Sequence, residues 1–144
     1  MTNILRIPQI ILLKKKWLFV GLLVGLVVTF IFQYFGPFVE ILILRQAGEI
    51  KVENYVEVIL NDKFYILYYL VANFITIYIS SFLAGKHADY VDATVCGLLY
   101  FSVLNLFDFE LYQQNRMLYS SGVLVGILAI LLALKSVKSR RGIQ

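Results

Sequence analysis

Four side chains able to bind a metal ion or transfer a proton lie within seven residues of one another: Lys86, His87, Asp89 and Asp92. An imidazole beside a carboxylate can act as an acid–base pair, and one histidine with two carboxylates is the ligand set of a facial metal triad. The same residues also suit a solvated turn between two helices, in which a carboxylate stabilises the start of the second helix. The turn is the interpretation that we favour, because turns are commonly polar for these reasons.

A second polar set lies in and beside apolar segments and has the composition of a solute-binding surface. Its members are Gln33, Asn73, Asn105, Asp108, Ser120 and Ser121, with Thr29, Thr76 and Ser102 close by in the sequence. If these side chains face one another, they form an outward-facing polar vestibule for a small polar solute. The alternative is hydrogen bonding between helices, which contributes roughly 0.6 to 2 kcal/mol per bond in membranes. The apolar cores carry no acidic or basic side chain, which argues against transport driven by protonation of a buried acid.

Other reactive groups are scarce. His87 is the single histidine and Cys96 the single cysteine, which excludes sites built from several imidazoles or thiolates within this chain. The serines form no nucleophile elbow, and the glycines form no phosphate-binding loop. The sequence therefore predicts a protein that is not an enzyme and that has no catalytic residues, no metal site and no cofactor.

The composition places the chain in a membrane. Hydrophobic residues make up 60% of the 144 positions and charged residues only 15%, and the mean hydropathy is +0.81. These values predict an all-α integral membrane protein with one domain over residues 1–144. The net charge of +4 comes from basic residues at the ends of apolar runs, which indicates membrane orientation rather than a nucleic-acid partner.

Four apolar runs predict a four-transmembrane-helix bundle, with spans of approximately 17–35, 64–85, 91–107 and 117–135. The first helix is expected to end at Gly36-Pro37, because proline breaks a helix. The third span is short, since only residues 93–107 of it are uncharged, about 22 Å of helix.

Two segments outside the spans are also assigned from their apolar pattern. Val52 to Leu60 has helical spacing and predicts a short amphipathic helix in the first extracytoplasmic loop, although the alternation of Ile50, Val52, Val56 and Val58 would also fit a strand. Residues 1–13 are too short to span and are expected to lie on the membrane surface, beside a basic triplet.

Small residues recur at helical spacing in three of the spans. They form two GxxxG pairs and one four-residue ridge: Gly21, Gly25, Gly122, Gly126, Ala72, Thr76, Ser80 and Ala84. Small residues let two helix backbones approach closely, which is what drives association in lipid. The sequence therefore predicts helix packing at these faces, either within the bundle or against another subunit.

Charge asymmetry predicts the orientation. With both termini cytoplasmic, nine Lys and Arg lie inside and four outside, whereas two acidic residues lie inside and seven outside. The positive-inside rule therefore places both termini in the cytoplasm and the protein in the cell's inner membrane, as a multi-pass protein with an even number of crossings.

The leading hypothesis for function is a non-enzymatic subunit or accessory scaffold of a membrane complex, whose partners are the lipid bilayer and another membrane protein or a second copy. It depends on the scarcity of reactive residues, the small-residue faces and the outer amphipathic segment. The alternative is a small transporter or channel component that uses the polar vestibule. A membrane enzyme ranks third, because it depends only on His87 with Asp89 and Asp92.

Overall fold

The computed structural model describes residues 15–47, 59, 61–85, 90–107 and 115–141. Within these ranges the chain forms four long helices: α1 (Lys16–Ala47), α2 (Lys63–Ala84), α3 (Tyr90–Phe107) and α4 (Arg116–Arg141). The described residues contain no strand, and the predicted all-α class is confirmed.

Three of the four helices are long and apolar enough to cross a membrane, namely α1, α2 and α4. The 22 residues of α2, at about 1.5 Å each, give roughly 33 Å, against a hydrocarbon thickness of about 30 Å. The third helix is apolar but shorter. The chain thus has the helices of a membrane protein.

Local capping explains where α2 and α4 begin. The Asp62 carboxylate accepts hydrogen bonds from the backbone N–H groups of Phe64 at 2.7 Å and Tyr65 at 3.3 Å. The Asn115 side-chain oxygen accepts one from the N–H of Leu118 at 3.0 Å. Each side chain satisfies N–H groups that have no partner in the first helical turn.

The prediction that the first helix ends at Gly36-Pro37 is wrong. Helix α1 continues through Pro37 and ends at Ala47. Its 32 residues extend about 48 Å, well beyond one hydrocarbon thickness. Proline is tolerated inside such helices when neighbouring groups satisfy the backbone atoms that it frees. One residue before the carbonyl that Pro37 leaves without a helical donor, the Tyr68 hydroxyl donates to the carbonyl oxygen of Phe32.

Several sequence predictions lie outside the described residues. They concern the surface segment 1–13 and nearly all of the amphipathic segment 52–60. The turn residues Lys86, His87 and Asp89, and Asp108 of the polar set, also fall there.

The four helices pack side by side, with each one antiparallel to the next along the chain. Helix α2 contacts all three others, while α1 packs mainly on α2 and less extensively on α3. We call the two ends of this arrangement the Lys15 end, where α1 begins, and the Glu40 end, where α1 finishes.

The small residues of α1 and α2 meet near the Lys15 end. A methyl group built on Gly21 would lie 2.5 Å from the carbonyl oxygen of Ser80 and 2.9 Å from the Cβ of Ala84. One built on Gly25 would lie 2.9 Å from the Cβ of Ser80 and 2.5 Å from the ring of Tyr100. The GxxxG face of α1 therefore packs against the small-residue ridge of α2 in the same chain.

The second GxxxG pair also faces neighbouring helices. A methyl group on Gly122 would lie 2.8 Å from the hydroxyl of Tyr69, and one on Gly126 would lie 2.7 Å from the ring of Phe101. Beside these contacts, Cys96 and Ile77 belong to the buried apolar core.

We expect Gly21→Ala to lower the stability of the fold. The added methyl meets backbone atoms, which cannot rotate away, so α1 and α2 must separate; overpacking of this kind costs about 1 to 3 kcal/mol. The measurement is thermal unfolding of the purified protein in mild detergent, followed by loss of the monodisperse size-exclusion peak.

The matched control is Gly36→Ala on the same helix. Its methyl would meet its nearest neighbour, the Tyr68 hydroxyl, at 4.0 Å, and alanine favours a helix by about 1 kcal/mol over glycine. This variant should unfold at the wild-type temperature or slightly above it. Equal effects of the two substitutions would contradict the close approach at Gly21.

Candidate functional site

A cavity of about 330 Å³ lies between α1 and α2, in the part of the bundle towards the Glu40 end. Its lining contains seven polar residues and five others: Thr29, Gln33, Glu40, Tyr68, Tyr69, Asn73, Thr76, Phe32, Gly36, Pro37, Ala72 and Leu104. Along α1 it extends from Thr29 to Glu40, a rise of about 16 Å. Its size is at the lower end of the range of about 300 to 1,000 Å³ found for small-molecule sites.

Asn73 is the buried polar group of this cavity. Its side chain is 8% exposed and lines the cavity, and it makes no side-chain hydrogen bond to any other described residue. An amide without a partner is costly in an apolar interior, by about 1 to 3 kcal/mol. The amide is therefore positioned to hydrogen-bond to something within the cavity.

Among the described residues, one acidic side chain and no basic one line the cavity. Glu40 supplies a carboxylate, and Gln33 adds an amide about two turns earlier along α1. Pro37 has no N–H group, so it cannot donate to the carbonyl oxygen of Gln33, its expected helical partner. The described residues of the lining are thus rich in hydrogen-bond acceptors.

Three aromatic rings also line the cavity. Phe32 and Tyr68 contact each other edge to face, with ring centroids 5.7 Å apart and an interplanar angle of 72°. Tyr69 also lines the cavity and packs against Gly122 of α4. The Tyr69 ring can pack at this position because Gly122 has no side chain.

The structure brings together only part of the predicted vestibule. Gln33 and Asn73 line the cavity, together with Thr29 and Thr76. Asn105 instead donates to the carbonyl oxygen of Phe101 at 2.7 Å.

The two serines of the predicted set also bond within their own helix. Ser120 and Ser121 donate to the carbonyl oxygens of Arg116 and Met117, each at 2.8 Å. Neither serine lines the cavity. The polar surface lies between α1 and α2, and α4 contributes none of its lining.

Glu40 was missed because the sequence placed it in a loop after Gly36-Pro37. In the structure it lies inside α1, seven residues before the helix ends. The signal was present, since residues 38–44 are apolar apart from this glutamate. Tyr68 and Tyr69 were missed because tyrosines near span ends are also typical membrane-interface residues.

An ion pair connects α1 and α3 at the Lys15 end. The Lys15 ammonium donates to the Asp92 carboxylate, whose side chain is 4% exposed, while that of Lys15 is 38% exposed. Asp92 lies in the first turn of α3. The Asp92 carboxylate is therefore buried and paired rather than solvated, at the start of a helix, where a carboxylate is favourable.

The sequence also offers metal ligands at this end of the bundle. No group of three or more His, Cys, Asp or Glu side chains that could hold a metal ion occurs among the described residues. His87 and Asp89, two members of the predicted triad with Asp92, lie outside the described residues, so the triad itself stays a prediction.

Lys15→Met should destabilise the protein more than Asp92→Asn. Removing the lysine leaves a buried carboxylate short of positive charge, whereas removing the carboxylate leaves a lysine that reaches solvent. Removing one partner of an ion pair so that the other charge stays buried typically costs about 3 to 5 kcal/mol. Thermal unfolding of both variants and of the double variant tests this, and the double variant should regain most of the loss. The opposite order of the single variants would contradict the burial of Asp92.

The chain matches no protein-family model, and comparison with curated proteins and with solved structures finds no significant match. Its function is therefore inferred from its own geometry, in which the polar cavity beside Asn73 and Glu40 is the most informative feature.

Proposed function

We propose that the protein is a multi-pass membrane protein that binds a small polar solute in the cavity between α1 and α2 and mediates its passage across the membrane. The observation that carries this proposal is Asn73, a nearly buried amide that lines the cavity and has no side-chain partner among the described residues. In lipid, an amide without a partner is disfavoured, so its retention is better explained by a ligand or by water.

In this proposal all four helices cross the membrane as one bundle. The 18 residues of α3 extend about 27 Å, close to the hydrocarbon thickness. The charge asymmetry then places both termini in the cytoplasm and the Glu40 end outside, in the cell's inner membrane. The cavity opens to the outer side, and its deepest residues lie well within the bilayer.

The position of Thr29 within the hydrocarbon layer supports the proposal that the cavity binds a solute. Thr29 is 13 residues beyond the start of α1 at Lys16, or about 20 Å along the helix, whereas the hydrocarbon is about 30 Å thick. A polar surface at this depth is disfavoured when it faces acyl chains. It is satisfied when water or a polar solute occupies it.

Asn73→Leu should abolish solute passage. Leucine is close in size to asparagine and removes both hydrogen-bonding groups, so the cavity loses its deep polar contact. The measurement is passage of small polar solutes (alkali cations, methylammonium, glycerol and glycine) into liposomes that contain the full-length protein. Wild type should transport at least one of them faster than empty liposomes.

Asn105→Leu is the matched control for this experiment. Asn105 bonds within its own helix and does not line the cavity, so its replacement should leave passage unchanged. Wild-type liposomes that remain impermeable to every solute would contradict the proposal. So would equal losses in the two variants.

A second candidate is the accessory subunit, which a separate surface favours. The small-residue faces of α1 and α2 contact each other, so a partner would use the side of α1 next to this contact, at the edge of the cavity. There Gln33 is exposed and lines a shallow groove with Phe30 and Tyr34. An exposed amide within an apolar helix commonly hydrogen-bonds to another helix.

One chain has a mass of 16.6 kDa. If the protein self-associates through this groove, the protein mass in each detergent particle, after subtraction of the detergent, should be a multiple of this value. Light scattering after size exclusion measures this mass, and Gln33→Leu should shift it towards the monomer. A monomer in both proteins would count against the second copy as the partner. The control is Gln46→Leu, which replaces an exposed amide further along the same helix.

A further inference from the structure

We infer that a phospholipid with a negatively charged headgroup binds in an apolar groove between the last turns of α1 and the first turns of α2, with its phosphate beside Arg45 and Lys63. This groove is separate from the solute cavity, and the inference depends only on that part of the proposed function which places the helices in a membrane. It comes from two matched apolar stripes and from the basic residue that flanks each of them.

Helix α1 contributes one side of the groove, which has a volume of about 500 Å³. Its stripe consists of Val39, Leu42, Ile43 and Gln46, at the spacing of residues that share one face of a helix. Ile43 is 4% exposed and Leu42 is 59% exposed. The groove therefore has a covered floor and an open side.

Helix α2 contributes a second stripe with the same spacing. Its residues are Phe64, Leu67, Tyr68 and Val71, and both Phe64 and Leu67 are more than half exposed. The end of α1 lies beside the start of α2, and each stripe extends over seven residues, or about 10 Å. Acyl chains fill an open apolar groove in a bilayer, because an empty one forfeits van der Waals contacts.

The groove lies in the leaflet at the Glu40 end. Lys63 is the first residue of α2 and directly precedes its uncharged apolar residues, so it lies at the membrane interface, where basic residues end apolar spans. From there the groove follows the first two turns of α2 towards the centre of the bilayer. A phospholipid has the same arrangement, with a charged headgroup at the interface and acyl chains below it.

Two basic residues flank the groove at its interfacial end. Arg45 lies three residues after Leu42, and Lys63 lies four residues before Leu67, so each is one helical turn from an exposed leucine of its own stripe. Both basic residues are exposed, and neither forms an ion pair with another described residue. Basic residues at this level attract the headgroups of anionic lipids.

The described carboxylates near this end face other groups. Asp62, next to Lys63 in the chain, accepts hydrogen bonds from the backbone N–H groups of Phe64 and Tyr65, and Glu40 lines the solute cavity. Among the described residues, none that lines the groove is acidic. The groove therefore presents no described carboxylate to a phosphate.

The test is quenching of a tryptophan placed in the groove. Trp17 is the single tryptophan of the chain, so the full-length protein carries Trp17→Phe together with Leu42→Trp. It is reconstituted into phosphatidylcholine vesicles with increasing fractions of phosphatidylglycerol or phosphatidylcholine whose acyl chains are dibrominated and quench tryptophan on contact. Brominated phosphatidylglycerol should give half-maximal quenching at a mole fraction about threefold lower or more, because the two basic residues attract its headgroup. Equal quenching by the two lipids would overturn the inference.

Leu124→Trp in the same Trp17→Phe background is the matched control. Leu124 is 68% exposed on α4, and no basic residue lies within four positions of it, so the two lipids should quench this tryptophan equally. A preference for phosphatidylglycerol as large as that at position 42 would be a general attraction of anionic lipid to the protein, and the groove would not be its cause.

Charge variants assign the preference to the proposed residues. In the Leu42→Trp protein, Arg45→Gln with Lys63→Gln should abolish the preference for phosphatidylglycerol. Lys16→Gln with Lys138→Gln removes the same charge from exposed residues at the other end of the bundle and should leave the preference unchanged. The inference fails if both pairs have the same effect.

Two further readouts separate folding and the other occupants of the groove. If the Arg45 and Lys63 variant unfolds at a lower temperature than its parent, the parent in 1 M KCl decides the outcome, since its preference should fall where the Debye length is about 3 Å. If neither lipid quenches Leu42→Trp in protein that floats with alkali-washed vesicles, another segment or a second copy fills the groove, and the inference fails.

The proposed function is measured independently. Asn73-dependent solute passage without any preference for phosphatidylglycerol leaves the proposed function in place and removes this inference. Protein that does not float with the vesicles contradicts both, because the helices then do not lie in the membrane.

Discussion

The close approach of α1 to α2 at the Lys15 end is the constraint on which the rest of the structure depends. Gly21 and Gly25 have no side chains to hold the two helices apart, so the backbone of α1 lies against Ser80 and Ala84. Towards the other end the residues between the helices are large, with Phe32 and the tyrosines of α2. The cavity lies towards this other end, where Phe32 and Tyr68 contribute to its lining.

The same constraint explains why this cavity is polar. Asn73 and Thr76 are buried and both line the cavity between α1 and α2, so they are largely removed from the surface while the cavity leaves space in front of them. A tighter helix pair would force these groups to bond to each other or to be replaced by apolar residues. Glu40 joins them because α1 continues as a helix through Pro37. Recognition and fold thus share one surface of α1.

Some features of the fold and of the cavity could be predicted from the sequence, and others could not. The positions of α2 and α4 follow from uncharged apolar runs, and the start of α2 follows from the capping residue Asp62. The continuation of α1 could not be predicted, because a Gly-Pro pair stops most helices in water but is tolerated where neighbouring helices satisfy the freed backbone. Because of that one error, Glu40 was assigned to a loop and was left out of the predicted polar site, although it lines the cavity.

The sequence by itself determined the class of the protein, since an all-helical chain with long apolar segments follows from composition and from the need to satisfy backbone hydrogen bonds within lipid. It also contained the small-residue faces and most of the polar groups of the site. Only the tertiary structure decided which faces meet, because glycine pairs have the same pattern whether they pack within the chain or on a partner. Asn73 and Asn105 are alike in sequence, yet Asn105 bonds within its own helix while Asn73 lines a cavity, and that difference arises from which neighbouring helix lies opposite each one.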